Sequence, residues 1–287
     1  MDPQITVIVP CYNEEKSVDK TIADLKKTLA TLGKTYEIIF VNDCSKDKTA
    51  EKIAKHEGVT LISHKVNRGY GSSLKTGIRN AKGQWILITD CDQTYPIEDI
   101  PKLVAGMDEG YDMVVGARTG KEVHVPLIRR PPKAVLRWLI NYLSGQKIPD
   151  FNSGLRVFKK DLALRFFSLF PDRFSFTTTI TMAALTNGYE VKFIPINYYK
   201  REGKSSIKPK DFINFFNLII RLTLYFKPLS VFIPVSIFFI LIGTVKLVID
   251  FAGLNRFGLG GALAVIFGIQ LILLGMIAEI IIRRTNL

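Results

Sequence analysis

The last quarter of the chain is what most limits how it can fold. From Ser230 to Ile249 the sequence is apolar apart from Ser, Thr and Lys246, and from Leu259 to Ile282 only Gln270 and Glu279 are strongly polar. As a helix, each stretch is long enough to cover the ~30 Å hydrocarbon core of a bilayer. Two membrane spans, about 229–250 and 259–282, are therefore expected. The 287 residues leave room for one large water-exposed domain ahead of them.

Charges at the ends of these stretches set an expected orientation. Lys227 precedes the first span and Arg283-Arg284 closes the second, whereas the connector from Asp250 to Gly258 carries only Arg256 against Asp250. By the positive-inside rule the soluble domain and the C-terminus face the cytoplasm from the cell membrane. An even number of spans demands the same. Met1-Asp2-Pro3 leads straight into a strand-like run, so no signal peptide is expected. Cys11, Cys44 and Cys91 are scattered without a C-x-x-C pair, which suggests neither a disulfide framework nor a zinc site and fits a reducing compartment.

The formal net charge of +13 is concentrated in two places. Arg118 to Arg137 holds Arg118, Lys121, Arg129, Arg130, Lys133 and Arg137 against Glu122, and Glu190 to Lys210 holds six more basic residues against Glu190 and Glu202. Nucleic acid is one partner class for such patches. With membrane spans following at once, an anionic lipid surface or lipid phosphate fits better, and no nucleic-acid partner is expected.

The first half alternates apolar runs with helical stretches. Strands are expected at Ile5–Val9, Glu37–Val41, Val59–Ser63, Trp85–Thr89 and Met113–Val115. Helices are expected between them at Glu14–Leu32, Lys46–His56, Ser72–Ala81 and Ile97–Met107. A basic helix within Leu127–Ser144, a loop at Asp150–Gly154, helices near Lys160–Phe170 and Thr177–Thr186, and a strand at Glu190–Pro195 follow. This alternation predicts an α/β fold with a mainly parallel sheet covered on both faces. Asp211–Phe226 carries a Phe, Leu and Ile face broken by Asn, Arg and Thr, and reads as a helix lying in the membrane interface.

In such sheets ligands bind outside the carboxyl ends of the strands, and the chain's polar motifs fall there. The first is Val9-Pro10-Cys11-Tyr12-Asn13-Glu14-Glu15, whose helix start offers backbone donors to a ligand, with Tyr12 able to cover a base or ribose and Glu14 to accept from its OH or NH groups. The second, Val41-Asn42-Asp43-Cys44-Ser45, places Asp43 to accept from a nucleobase ring NH. The third, Asn67-Arg68-Gly69-Tyr70-Gly71, is not a dinucleotide fingerprint, because Leu74 stands at the third glycine's place; its glycines permit close backbone approach. The fourth is Asp90-Cys91-Asp92, two carboxylates one residue apart that can share a hard divalent cation and so hold a nucleotide's diphosphate.

In this order the motifs resemble the family 2 glycosyltransferases of GT-A fold, and more narrowly the polyprenyl-phosphate glycosyltransferases of the dolichol-phosphate mannose synthase type. The resemblance runs from "VIVPCYNEE" through "VNDCSKDKT", "DCDQTYP", "VVGART", "DFNSGLRVF" and "REGKSSI" to the paired spans. It implies a Rossmann-like GT-A catalytic domain over 1–208, an amphipathic interfacial helix over 209–228 and a membrane domain over 229–287. It also implies a nucleotide-sugar donor (GDP- or UDP-linked), a polyprenyl-phosphate acceptor in the membrane, and Mg2+ or Mn2+. A homo-oligomer is left open. By the same resemblance Pro10, Tyr12, Glu14, Val41 and Asp43 surround the nucleoside, and Asp90, Cys91 and Asp92 meet the diphosphate-sugar and metal. Arg118 faces substrate phosphate, and Arg201 with Lys204 closes over the donor. Arg129, Arg130 and Lys133 suit the acceptor phosphate, while Asp150, Asn152 and Ser153 line the sugar end. Two departures stand out: Asn42-Asp43 replaces the usual Asp-Asp, and Thr94 holds the place of a metal-binding glutamine, where its hydroxyl is expected to join Asp90 and Asp92 on the metal directly or through water, with Gln93 displaced by one.

A polyprenyl phosphate needs little activation. Its second pKa is ~6, so it is largely dianionic at neutral pH and requires no general base. Direct displacement with inversion at the anomeric carbon is the expected course. Two other transfer readings stay open: transfer to a lipid hydroxyl, with Asp150 as base, and a processive polysaccharide synthase. The latter is weakened because Ala134 replaces the glutamine of a Q-x-x-R-W motif before Arg137-Trp138. A non-catalytic, membrane-anchored nucleotide-sugar binder is the non-enzyme alternative.

Overall fold

The computed structural model describes residues 2–120, 141–142, 145–172, 175–199, 224–254, 256 and 258–285. Most of the basic helix expected within Leu127–Ser144, Arg129, Arg130, Lys133, Arg201, Lys204, and residues 209–223 of the expected interfacial helix lie outside the described residues. The chain divides into two compact units, Met1–Lys208 and Pro209–Leu287.

Among the described residues the first unit is built on seven strands: β1 (Ile5–Cys11), β2 (Tyr36–Asn42), β3 (Thr60–Ser63), β4 (Trp85–Ile88), β5 (Met113–Ala117), β6 (Arg156–Lys159) and β7 (Val191–Pro195). Their order in the sheet is β3-β2-β1-β4-β6-β5-β7. β1 pairs in parallel with β2 on one side and β4 on the other, in the registers Ile5↔Tyr36 and Ile5↔Trp85. The strand order thus reverses beside β1. A crevice opens at such a switch point, outside the carboxyl ends of the strands. Cys11 and the residues after Ile88 are those ends.

The apolar runs become strands because both faces of the sheet are covered. Along β1 only Pro10 is less than buried, as expected for a central parallel strand. On one face, α1 (Val18–Ala30) buries Val18, Ile22, Leu25 and Leu29, a single helical stripe, in the same core as Leu103 and Met107 of α4 (Ile100–Asp108). Burying each such leucine contributes about 1.5–3 kcal/mol. On the other face α3 (Tyr70–Asn80) lies close to β1, since a Cβ at Gly77 would stand 2.4 Å from Ile8 Cγ2. The short helices α2 (Thr49–Ala54) and α5 (Lys160–Arg165) and the buried helix α6 (Phe176–Thr186) complete the layers.

The sequence pattern missed one element. Arg156-Val157-Phe158-Lys159 forms β6, which pairs antiparallel to both β4 and β5 and makes the sheet mixed. Four residues with a cation at each end carry almost no strand signal. Arg156 is accommodated with no exposure because its guanidinium donates to the Ser153 carbonyl, the Thr177 carbonyl (2.9 Å) and Thr181 Oγ1 (2.8 Å). The expected helix Glu14–Leu32 is also shorter, because residues 14–17 form a turn closed by Ser17 N and Val18 N on the Glu14 carbonyl.

The second unit contains α7 (Leu229–Leu254, 26 residues) and α8 (Leu259–Thr285, 27 residues). Both are long and apolar enough to cross a membrane, and little of either is buried. Glycines let the two backbones approach. A Cβ at Gly261 would meet Leu247 Cγ at 2.8 Å, one at Gly268 would meet Ile240 Cγ1 at 2.6 Å, and one at Gly275 would meet Phe232 Cβ at 2.8 Å. Seven-residue spacing keeps these three glycines on one face of α8, as close packing between helices in lipid requires. Lys246 Nζ lies 3.4 Å from Asp250 Oδ1, the i,i+4 pair that the sequence spacing allows.

Candidate active site at the strand ends

The turns after β1 and β2 are tied to one another. Asn13 N donates to Ser45 Oγ (2.9 Å), Glu14 N to Thr49 Oγ1 (2.8 Å) and Glu15 N to Asp47 Oδ2 (3.1 Å), while Asn13 Oδ1 accepts from Lys46 N (2.8 Å). This corrects the expectation that the backbone donors of the first motif stand ready for a ligand: the second motif's side chains use them. Asn13 (φ 57°), Cys44 (φ 63°) and Gln93 (φ 59°) are left-handed, one in each turn after β1, β2 and β4. Non-glycine residues adopt this conformation at a cost, and such positions gather at functional sites.

Asp43 is almost fully buried at the end of β2. Its Oδ1 accepts from His64 Nδ1 (2.8 Å) and Arg68 N (2.8 Å), and its Oδ2 from Gly69 N (2.7 Å). Three of the roughly four acceptor positions of the carboxylate are thus taken within the protein, leaving one for an external NH. The other side of the His64 ring lies 2.9 Å from Thr76 Oγ1. Around it, Tyr12 is exposed and Pro10 and Glu14 are half-buried, with Glu14 Oε2 accepting from Ser17 Oγ at 3.0 Å. Val41 is fully buried, so its side chain belongs to the floor of the site and presents no surface to a ligand.

The Asp90-Cys91-Asp92 turn is pinned to α1. Thr21 Oγ1 lies 3.0 Å from the Cys91 carbonyl and accepts from Gln93 Nε2 at 3.0 Å. The displaced glutamine is therefore engaged with the scaffold. Thr94, expected among the metal ligands, is fully buried and donates its hydroxyl to Asp92 Oδ1 at 2.6 Å, which places it behind that carboxylate as a support. The Cys91 side chain is buried in the core, leaving its backbone to the turn. Asp90 Oδ1 accepts from Tyr70 Oη at 3.0 Å. Burial, and then the Asp90 charge, push the Tyr70 phenol well above its ordinary pKa. On Asp90's other side stands Gly154, where a Cβ would lie 3.0 Å from Oδ2 and 3.2 Å from Oδ1. Beside Asp92 a cavity of about 430 Å³ is lined by Lys16, Ser17, Lys20, Gln93, Tyr95 and Tyr199.

Carboxylate oxygens are the donors that Mg2+ and Mn2+ prefer, and the missing side chain at Gly154 leaves room on that side of Asp90. Among the described residues no group of three or more His, Cys, Asp and Glu side chains is arranged around a metal ion. The pair therefore fits a cation that takes its remaining ligands from a diphosphate and water.

The β5–β6 side is built differently. Arg118 clasps Asp150 with both arms of its fork, Nε to Oδ2 (2.7 Å) and Nη2 to Oδ1 (2.9 Å), and its own backbone N adds a third bond to Oδ2 (3.0 Å). Burial opposes ionisation of Asp150, but the Arg118 guanidinium and backbone NH groups outweigh it and hold the carboxyl below its ordinary value. The Arg118 guanidinium also lies over the Tyr198 ring, 5.1 Å from its centroid. Asn152 Oδ1 accepts from Thr177 Oγ1 (2.6 Å), tying the loop to the start of α6. The Ser153 hydroxyl is fully buried with no hydrogen-bond partner among the described residues. Beneath them, burial lowers the Arg156 guanidinium to about 10.

The structure thus brings Asp90 and Asp92 to the switch point beside Asp43 and Tyr12, and joins Arg118 to Asp150. Sequence reasoning missed His64, Tyr95, Arg156 and Gly154 as parts of the site, and it valued Tyr70 only for its flanking glycines. The Tyr95 hydroxyl accepts from Gly154 N at 2.6 Å, a contact across 59 positions that no local pattern announces.

Comparison with known proteins agrees with this geometry. Residues 6–169 match glycosyl transferase family 2, and residues 227–283 match the GtrB C-terminal hairpin. An uncharacterized protein of Methanocaldococcus jannaschii is 35% identical over 202 residues, covering 67% of this chain and 80% of that protein. The undecaprenyl-phosphate 4-deoxy-4-formamido-L-arabinose transferase of Edwardsiella ictaluri is 28% identical over an alignment of 300 positions, covering 98% of this chain and 90% of that enzyme. The enzyme of the same name from Klebsiella pneumoniae is 31% identical over 164 residues, 55% of this chain and 50% of its own length. Among solved structures, a mannosyltransferase of Pyrobaculum calidifontis in complex with GDP-Man and Mn2+ superposes with a TM-score of 0.55 at 23% identity, covering 72% of this chain and 59% of that one. Glucosyl-3-phosphoglycerate synthase of Mycobacterium tuberculosis, with Mn2+ and UDP-glucose, gives a TM-score of 0.61 at 15% identity, covering 77% and 79%. At these identities the structural likeness establishes the fold, and the sequence match establishes the family: the chain belongs to glycosyl transferase family 2.

Proposed function

We propose that this enzyme transfers a sugar from a GDP- or UDP-sugar to a polyprenyl phosphate in the membrane, giving a polyprenyl-phosphate sugar. The observation that carries the choice of acceptor is the Arg118–Asp150 clasp. A hydroxyl acceptor would need a base, and Asp150, the residue available for that task in the motif, is held as a weakly basic carboxylate. A phosphate acceptor brings its own negative oxygen. The named transferases that match this chain act, by their names, on undecaprenyl phosphate, and one aligns across both units. The two apolar helices would keep the enzyme at the surface where such a lipid resides.

In this reading Asp90 and Asp92 would hold Mg2+ or Mn2+ and, through it, the donor diphosphate. A cation bound there supplies charge neutralisation for the departing nucleoside diphosphate. Tyr12 covers the nucleoside, and Asp43 offers it the carboxylate position not used internally. Arg118 keeps one nitrogen, Nη1, outside its clasp with Asp150, and directs it to phosphate oxygens. Arg129, Arg130 and Lys133 would receive the acceptor phosphate, and Arg201 with Lys204 the donor. Residues 1–208 form the catalytic domain, 209–228 an interfacial helix and 229–287 the membrane domain. The catalytic domain and C-terminus face the cytoplasm, as Lys227, Arg283 and Arg284 indicate.

The deciding experiment offers labelled GDP- and UDP-sugars, with Mg2+ or Mn2+, to short-chain polyprenyl phosphates and to the matching polyprenols. Label is expected only in the phosphate series, in an acid-labile product; incorporation into the polyprenol series alone would refute the proposal. NMR of the product should show inversion at the anomeric carbon, and retention would exclude single displacement.

A further inference from the structure

We propose that Tyr70 is a positioning residue that fixes the rotation of the Asp90 carboxylate for cation and diphosphate binding. The inference rests on the reading of Asp90 and Asp92 given above. The Tyr70 hydroxyl donates to Asp90 Oδ1 at 3.0 Å, and Gly154, with no side chain, stands against Oδ2. An aspartate carboxylate otherwise turns broadly about its last torsion, so a directional donor on one oxygen decides where the other points. A phenol does this without adding positive charge, whereas a lysine or arginine in its place would compete with the cation.

Tyr70 is itself held from the nucleoside side. It is the first residue of α3, and the turn before it is stapled to Asp43 through the backbone N–H groups of Arg68 and Gly69. Gly69 has φ 97°, a conformation that a side chain would strain, and three residues on Ser72 N donates to the Asp172 carbonyl. The start of α3 is thus fixed from both sides. Hydrogen bonds at each end of the short segment Arg68-Gly69-Tyr70 link the carboxylate after β2 to the carboxylate after β4. The third motif has its explanation here: its glycines shape the turn, and its tyrosine reaches across to the Asp90-Cys91-Asp92 turn.

The test is direct Mn2+ binding to the purified full-length chain, read by electron paramagnetic resonance of free Mn2+ in the presence of UDP and, separately, GDP. Tyr70→Phe keeps the ring and its packing, so its unfolding temperature should match that of the unmodified chain. Its Mn2+ affinity is expected to fall about tenfold, the usual scale for losing a group that orients a metal ligand. In turnover assays the KM for Mn2+ should rise by the same factor while kcat at saturating Mn2+ stays within about twofold. Unchanged Mn2+ affinity in Tyr70→Phe would overturn the inference. Asp92→Asn separates this outcome from failure of the underlying reading. If the unmodified chain binds Mn2+ no better than Asp92→Asn, the metal site itself is wrong; if it binds better and Tyr70→Phe equals it, only the role of Tyr70 is wrong.

Discussion

The two sides of the strand-end crevice hold their carboxylates by opposite means. On the β1–β4 side neutral groups donate to the carboxylates: the Tyr70 phenol to Asp90, and the Thr94 hydroxyl and backbone N–H to Asp92. On the β5–β6 side Asp150 is clasped by a guanidinium. Neutral donors fix a carboxylate's direction and leave its negative charge available to a cation, whereas a fork cancels the charge and makes the pair a rigid block. The first arrangement suits a residue that must bind an ion, the second a residue that must hold an arginine still. The contrast explains how two acidic motifs on one sheet edge serve different ends.

The largest effect that would break this contrast is expected at Asp92. Asp92→Ala should lower labelled-sugar transfer about a thousandfold, the scale of losing a main source of charge stabilisation. Near-normal transfer would remove the cation from the β1–β4 side. Asp150→Asn comes next. It leaves Arg118 buried without its counter-charge, a loss of about 3 kcal/mol in chemical denaturation at neutral pH. Transfer should fall without the loss of an acid-side pH limb that removing a general base would cause. Its pH dependence carries a sign. Because the folded-state pKa of Asp150 lies below the unfolded value, the pair's stability is fully present above about pH 5 and fades as pH falls through the lower folded value. The gap between the unmodified chain and Asp150→Asn should therefore be constant from pH 7 to about 5 and close below about 4.

A smaller effect sharpens the geometry. Gly154→Ala places a methyl group 3.0 Å from Asp90 Oδ2 and from Tyr95 Cε2, and should raise the KM for Mn2+ several-fold at about 1–3 kcal/mol of stability. An unchanged KM would show that Asp90 does not depend on that space. The smallest is Gln93→Ala. Its amide bonds Thr21 on α1, so transfer should stay within about twofold. A large loss would show that Gln93 serves the site beyond its bond to Thr21.

Much of this architecture was legible in the residues. Long apolar runs such as Ile5–Val9 and Trp85–Thr89 became strands because burial on both faces leaves a near-continuous hydrophobic signature. The motifs at their ends were legible because chain direction in a parallel sheet gathers strand ends on one edge. What escaped detection depended on long-range contacts. Arg156 reads as a surface cation until the carbonyls of Ser153 and Thr177 enclose it. His64 is an isolated histidine until Asp43 and Thr76, 21 and 12 positions away, take its two nitrogens. The donors at Asn13, Glu14 and Glu15 looked free because nothing local shows that Ser45, Thr49 and Asp47 would reach them.

The sequence by itself therefore determined the alternation of strands and helices, the collection of acidic motifs at one sheet edge, and the two long apolar helices that follow. These are consequences of hydrophobic periodicity and chain direction, which are local. Only the tertiary structure decided which acids are met by a phenol or a hydroxyl and which is clasped by a guanidinium. That choice depends on whether a phenol, a hydroxyl or a guanidinium arrives from elsewhere in the chain within hydrogen-bond distance, and such bonds are decided by packing that no local pattern contains.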